Sequence, residues 1–144
     1  MYMVQRTCML SLENDSDFTL INPQMYEKET NSKKETICKG EDIVLKYTTE
    51  GTNFDKNLSG VLTYEVAENG ENIAIFWGVW FKEDNQFNVE ITRLDADQGL
   101  HDKLMKTAKT AVIETVQENG NGYTVTATMS NETKAHLRVV ITNK

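Results

Sequence analysis

Three consecutive segments decide the fold: Ser59-Gly-Val-Leu-Thr-Tyr-Glu-Val66, Glu68-Asn-Gly-Glu71 and Ile73-Ala-Ile-Phe-Trp-Gly-Val-Trp-Phe81. In the first, Leu62, Tyr64 and Val66 fall on one face and Val61, Thr63 and Glu65 on the other, the period-two signature of a strand. Asn69-Gly70 is the strongest short-range hairpin signal, because both residue types tolerate positive φ. The third segment is apolar on both faces, so it predicts a strand covered on both sides at the centre of a packed sheet system. On that strand Trp77 shares a face with Ile73, Ile75, Val79 and Phe81 and is expected in the core. Trp80 shares the other face with Ala74, Phe76 and Gly78, which is expected to meet a helix or a groove. After the polar break Lys82 to Gln86, Phe87-Asn-Val-Glu-Ile91 resumes strict alternation.

Outward from this hairpin the pattern stays β. Thr7 to Glu13 alternates, with Cys8, Leu10 and Leu12 inward, and Asn14 to Asp17 is a turn cluster. Phe18 to Tyr26 reads as a strand that Asn22-Pro23 keeps at an edge or bulge. Glu27 to Glu35 reads as a charged loop, Ile37 to Tyr47 as a strand region broken at Gly40, and Gly51 to Asn57 as a loop. One short helix is expected, capped by Asp95 or Asp97, with Leu100, Leu104, Ala108 and Ala111 on one side. Ala111 to Val116 returns to strand, Asn119-Gly-Asn-Gly122 is a turn, and Tyr123, Val125, Ala127 and Met129 alternate with Thr124, Thr126 and Thr128. Ser130 to Lys134 turns into a last strand with Leu137, Val139 and Ile141 inward. Roughly eight or more short strands and one helix describe an all-β sandwich, and 144 residues suit a single domain spanning 1–144.

Charge narrows the partners. The net charge of −7 repels phosphate backbones, so nucleic acid is excluded as an expected partner, and non-specific adhesion to anionic lipid is disfavoured. No apolar run approaches the roughly 18 residues that span a bilayer. The N-terminus, Met1 to Arg6, has no signal-peptide pattern, which leads us to expect cytosolic synthesis. Cys8 and Cys38 read as two thiols in a reducing compartment, and the sequons at Asn14, Asn57 and Asn131 as chance matches.

No catalytic chemistry is expected. His101 on the helix and His136 on the last strand come without an elbow motif or a glycine-rich oxyanion loop. Two histidines and two cysteines lack metal-type spacing. Asp95-Ala-Asp97-Gln-Gly99 imitates the start of an EF-hand loop, but its glycine comes one place early and Lys106 stands at the closing glutamate position. No cofactor and no metal are expected, and the Thr124-Thr126-Thr128 ladder reads as a solvated face.

In order and spacing these segments resemble the actinoporin-like family, in particular its members from bony fish; the fungal fruit-body lectins look like it too. The resemblance rests on Leu20-Ile-Asn-Pro-Gln-Met-Tyr26, Lys39-Gly40 with Tyr47, Ser59 to Val66, Ile73-Ala-Ile-Phe-Trp-Gly-Val79 and Phe87-Asn-Val89. Gly122-Tyr123, Met129-Ser-Asn131 and Ala135 to Lys144 complete it. It implies an actinoporin-like β-sandwich flanked by one or two short helices. It also implies a cytolysin-type protein that binds lipid headgroups at membranes, after cytosolic synthesis or non-classical secretion, and that forms homo-oligomers. The ligand site it implies comprises Gly78, Trp80, Phe87, His101 and Met105. The family has a serine at the place of Gly78, a proline at that of Trp80, tyrosines at those of His101, Met105 and Lys106, and a serine near Glu29. A basic-Gly-Asp motif common in the family is replaced by Arg93-Leu-Asp95. Met1 to Arg6 carries no amphipathic pattern. The expectation is therefore a headgroup-binding protein without the family's pore-forming helix and without most of its phosphocholine site. The alternative is a glycan-binding lectin on the same fold, with cell-surface glycans as partners.

Overall fold

The computed structural model describes residues 6–26, 41–48, 57–111 and 115–144. Its strands are β1 (Thr7–Asp15), β2 (Leu20–Tyr26), β3 (Asp42–Thr48), β4 (Leu58–Val66), β5 (Asn72–Val79), β6 (Gln86–Thr92), β7 (Lys109–Thr110), β8 (Val116–Asn119), β9 (Tyr123–Met129) and β10 (Lys134–Asn143). The helix α1 (Gln98–Lys106) lies between β6 and β7. They form two five-stranded sheets, in the orders β3-β1-β10-β9-β8 and β2-β4-β5-β6-β7. The all-β sandwich read from the sequence is the observed fold. In the first sheet β1 runs parallel to β10, with Leu10 opposite Leu137 and Leu12 opposite Val139.

Alternation in each strand sends one set of side chains between the sheets. Cys8, Leu10, Leu12, Leu137, Val139 and Ile141 meet Leu62, Tyr64, Ile75, Trp77 and Val89 in one core. Tyr47 stacks on Trp77 with ring centroids 4.5 Å apart and planes 15° from parallel. Residues 73–79 of β5 are buried on both faces, as the doubly apolar segment requires.

Several expectations shift in detail. β5 ends at Val79, so Phe81, read as an inner-face residue, lies outside the strand and only partly buried. Of Asn69 and Gly70 only the glycine adopts positive φ, at 75°. A five-residue connection replaces the tight turn, because Val66 N donates to Glu71 O (2.7 Å) and Gly70 N to Val66 O (2.8 Å), while the Asn69 side chain accepts from Glu71 N at 2.9 Å. β1 runs on to Asp15, since Asn14 is itself buried and bonds Phe18 O at 2.8 Å. β2 begins at Leu20, stands at a sheet edge and is bulged between Ile21 and Gln24, where Pro23 and Asn22 (φ 50°) sit. The charged loop 27–35, Cys38, Lys39-Gly40, residues 51–56 and 112–114 lie outside the described residues.

One correction concerns the site. Phe87, expected at the ligand site, is fully buried and packs in the core between the sheets. It pairs with Trp77 across β5 and β6 and therefore points inward with it. Replacing Phe87 with Ala should cost about 3–5 kcal/mol of unfolding free energy in a denaturant titration. A variant as stable as the parent would place the ring outside the core.

Candidate functional site

The outer face of the second sheet carries a second, smaller hydrophobic cluster: Val61 of β4, Ala74 and Phe76 of β5, and Leu100 and Leu104 of α1. The helix starts where Asp97, in extended conformation (φ −144°), accepts a hydrogen bond from Leu100 N at 2.9 Å. Gly99 falls in the first turn, where it does not weaken the helix interior. Burying Leu100 and Leu104 stabilises the docked helix by roughly 1.5–3 kcal/mol each. Lys103 and Lys106 occupy the last turn, where cations favour the helix dipole.

Polar ties fix the helix on both flanks. On the β6 side, Asn88 Nδ2 donates to Leu104 O (3.1 Å) and Thr107 Oγ1 (2.8 Å), and Lys103 Nζ lies 3.1 Å from Glu90 Oε2. On the β4 side, His101 Nε2 lies 2.9 Å from Ser59 Oγ. The His101 ring meets Tyr26 and Phe76 edge-on, at 5.6 and 5.2 Å between centroids. His101 Nδ1 lies 3.1 Å from Asp102 Oδ1. Ser59, His101 and Asp102 thus stand in the atom order of a proton relay. Asp102, however, is the helix neighbour of His101 with a half-exposed side chain, and Ser59 sits within a strand rather than on a sharp turn that would present it to a substrate. The Ser59–His101 contact ties the helix to β4.

Beyond the helix, at the end of β5, an open cleft of about 360 Å³ is lined by Trp80, Phe81 and Met105 together with Asn57, Lys82, Glu83 and Gln86. Gly78 builds it. A Cβ on Gly78 would stand 2.2 Å from Cζ2 and 2.6 Å from Cε2 of Trp80, so the indole lies directly against the bare backbone. Trp80 Nε1 donates to Gln86 Oε1 at 3.0 Å, and Gln86 is the cross-strand partner of Gly78. Asn57 Oδ1 accepts from Phe81 N at 2.7 Å. The Phe81 ring has the Arg6 guanidinium carbon 5.0 Å and Lys82 Nζ 5.5 Å from its centroid. Met105 is 37% exposed on the helix side of the cleft.

Of the residues expected at the site, the structure brings Gly78, Trp80 and Met105 together. His101 sits one helix turn before Met105, against Tyr26 and Ser59, and does not line the cleft. Asn57, Phe81, Lys82, Glu83 and Gln86 complete the walls and escaped the sequence reading. Gln86 could have been found by alternation, since counting back from Asn88 puts it outward beside Gly78. Two other hollows differ in kind. Asn22, Gln24, Thr63, Glu65, Asn72 and Asp95 surround a polar one at the β2 bulge. A further one lies between β6 and β8, where burial and then the neighbouring Glu90 raise the Glu118 carboxyl above its ordinary range. Among the described residues no group of three or more His, Cys, Asp or Glu could hold a metal, and no helix is long and apolar enough to cross a membrane.

No protein-family profile matches the chain, and no curated protein sequence does. Its fold is similar to that of the lipid-binding protein Nakanori in its crystal structure, with a TM-score of 0.71 and 16% sequence identity. The match covers 96% of this chain and 71% of Nakanori's. At that identity the likeness establishes a shared fold.

Replacing Gly78 with Ala should force the Trp80 indole off the sheet and break its bond to Gln86. The expected result is a displaced Trp80 Nε1–H resonance with that of Trp77 unchanged. An unmoved Trp80 signal would contradict the packing described.

Proposed function

We propose that this chain is a non-catalytic lipid-binding protein of the actinoporin-like type, which engages membrane headgroups through the cleft at Trp80. The observation that carries the reading is the indole pinned over Gly78 and held by Gln86, with Phe81 and Met105 beside it. Together these side chains form a fixed amphipathic hollow at one end of the sandwich. An aromatic ring with one apolar face and a bonded N–H suits the membrane interface, where one side of a residue is apolar and the other wet. The likeness to Nakanori, a lipid-binding protein, supports the same reading. The mouth of the cleft carries Lys82 and Glu83, both exposed. Charges there resist burial in the acyl region, so the mode is peripheral attachment without lysis.

A glycan is the second reading. The flat Trp80 ring flanked by the amides of Asn57 and Gln86 would also accept a sugar ring.

Flotation with dye-loaded vesicles of phosphatidylcholine and phosphatidylethanolamine distinguishes them. The protein should float with the vesicles and leave the dye inside, and Trp80→Ala should weaken binding about tenfold, a loss typical of an interfacial anchor. Failure to float, with erythrocyte agglutination that free sugar blocks, would favour the lectin and overturn the lipid reading.

A further inference from the structure

We infer that the cleft selects a zwitterionic headgroup made of a phosphate and a primary ammonium, in preference to one bearing a quaternary ammonium. This rests on the lipid-binding reading above and names the chemistry of the same site.

A quaternary ammonium has no N–H and is held chiefly by aromatic faces around it. Here few such faces remain. The Trp80 ring has one side closed by the Gly78 backbone, which leaves its other side for a ligand. The Phe81 ring already has two of the protein's own cations near it, Arg6 at 5.0 Å and Lys82 at 5.5 Å. Their charges repel a further cation from that ring.

The other walls favour hydrogen bonding. Glu83 lines the cleft with a carboxylate, and the amide oxygens of Asn57 and Gln86, each already accepting one protein hydrogen bond, keep a second lone pair. A primary ammonium brings three N–H donors to such a set. Among the described residues the Glu83 carboxylate has no hydrogen-bond or ion-pair partner, so it stays available to a cationic ligand. Lys82, on the same cleft and of opposite sign, supplies the charge for a phosphate. The two charges thus match a phosphate–ammonium zwitterion, with the indole covering its carbon linker.

The test compares vesicles of phosphatidylcholine alone with vesicles containing equal parts of phosphatidylethanolamine, and competes binding with soluble phosphoethanolamine or phosphocholine. The inference expects roughly fivefold tighter binding to the mixed vesicles, the scale of one charge-assisted contact near water. Phosphoethanolamine should be the better competitor. Glu83→Gln, an exposed substitution that leaves the core untouched, should erase the preference, so that the variant binds the two kinds of vesicle equally. Equal or tighter binding to phosphatidylcholine alone would overturn the headgroup assignment while the lipid-binding reading stands. A preference that survives Glu83→Gln would also overturn it. Binding to neither vesicle would sink both.

Discussion

The rest of the structure depends on one strand being apolar on both faces. The inner face of β5, Ile73, Ile75, Trp77 and Val79, is covered by the opposite sheet. Its outer face, Ala74 and Phe76, needs a second cover, and α1 supplies it. The nine residues of the helix reach about 13 Å at 1.5 Å per residue. The eight residues of β5 reach about 26 Å at 3.3 Å per residue. The helix is thus about half as long as the strand. At the Gly78 end the chain folds Trp80 back over its own backbone, and the cleft lies beside that ring.

That arrangement also explains why the cleft walls are fixed. Met105 is positioned by a helix that Asp97 caps, that two leucines bury, and that Asn88 and the Ser59–His101 contact tie to strands on either side. Trp80 is positioned by contact with Gly78 and by the bond to Gln86. A ligand entering the hollow meets walls already ordered, so little conformational entropy is lost on binding. Charge then shapes the chemistry at the mouth, where Lys82 and Glu83 stand side by side on a chain that is acidic as a whole.

Much of this was legible in the residues. Side-chain chemistry narrows the helix cap to Asp95 or Asp97, of which the structure uses Asp97. The two faces of β5, the inward sets Cys8-Leu10-Leu12 and Leu137-Val139-Ile141 and an edge or bulge at Asn22-Pro23 all follow from local periodicity and side-chain chemistry. So did the division of labour between Trp77 and Trp80. Phe87 misled because the resemblance, and not the alternation, put it at the ligand site; the register, with Phe87 opposite Trp77, turns it into the core. Phe81 misled because periodicity does not show where a strand stops. The parallel pairing of β1 with β10 joins residues more than a hundred positions apart, and local patterns carry no trace of it. The cleft itself depends on Gly78 admitting the Trp80 ring, a contact between near neighbours that becomes visible only once the backbone path is known.

If, as proposed, the cleft at Trp80 is the surface that meets lipid, its indole should report the encounter. The most direct measurement follows the two indole Nε1–H resonances of the unaltered protein during titration with lipid bicelles. The Trp80 signal should shift or broaden as the protein binds, while that of Trp77, sealed between the sheets, stays in place. Bicelle binding with an unchanged Trp80 signal would contradict the proposal.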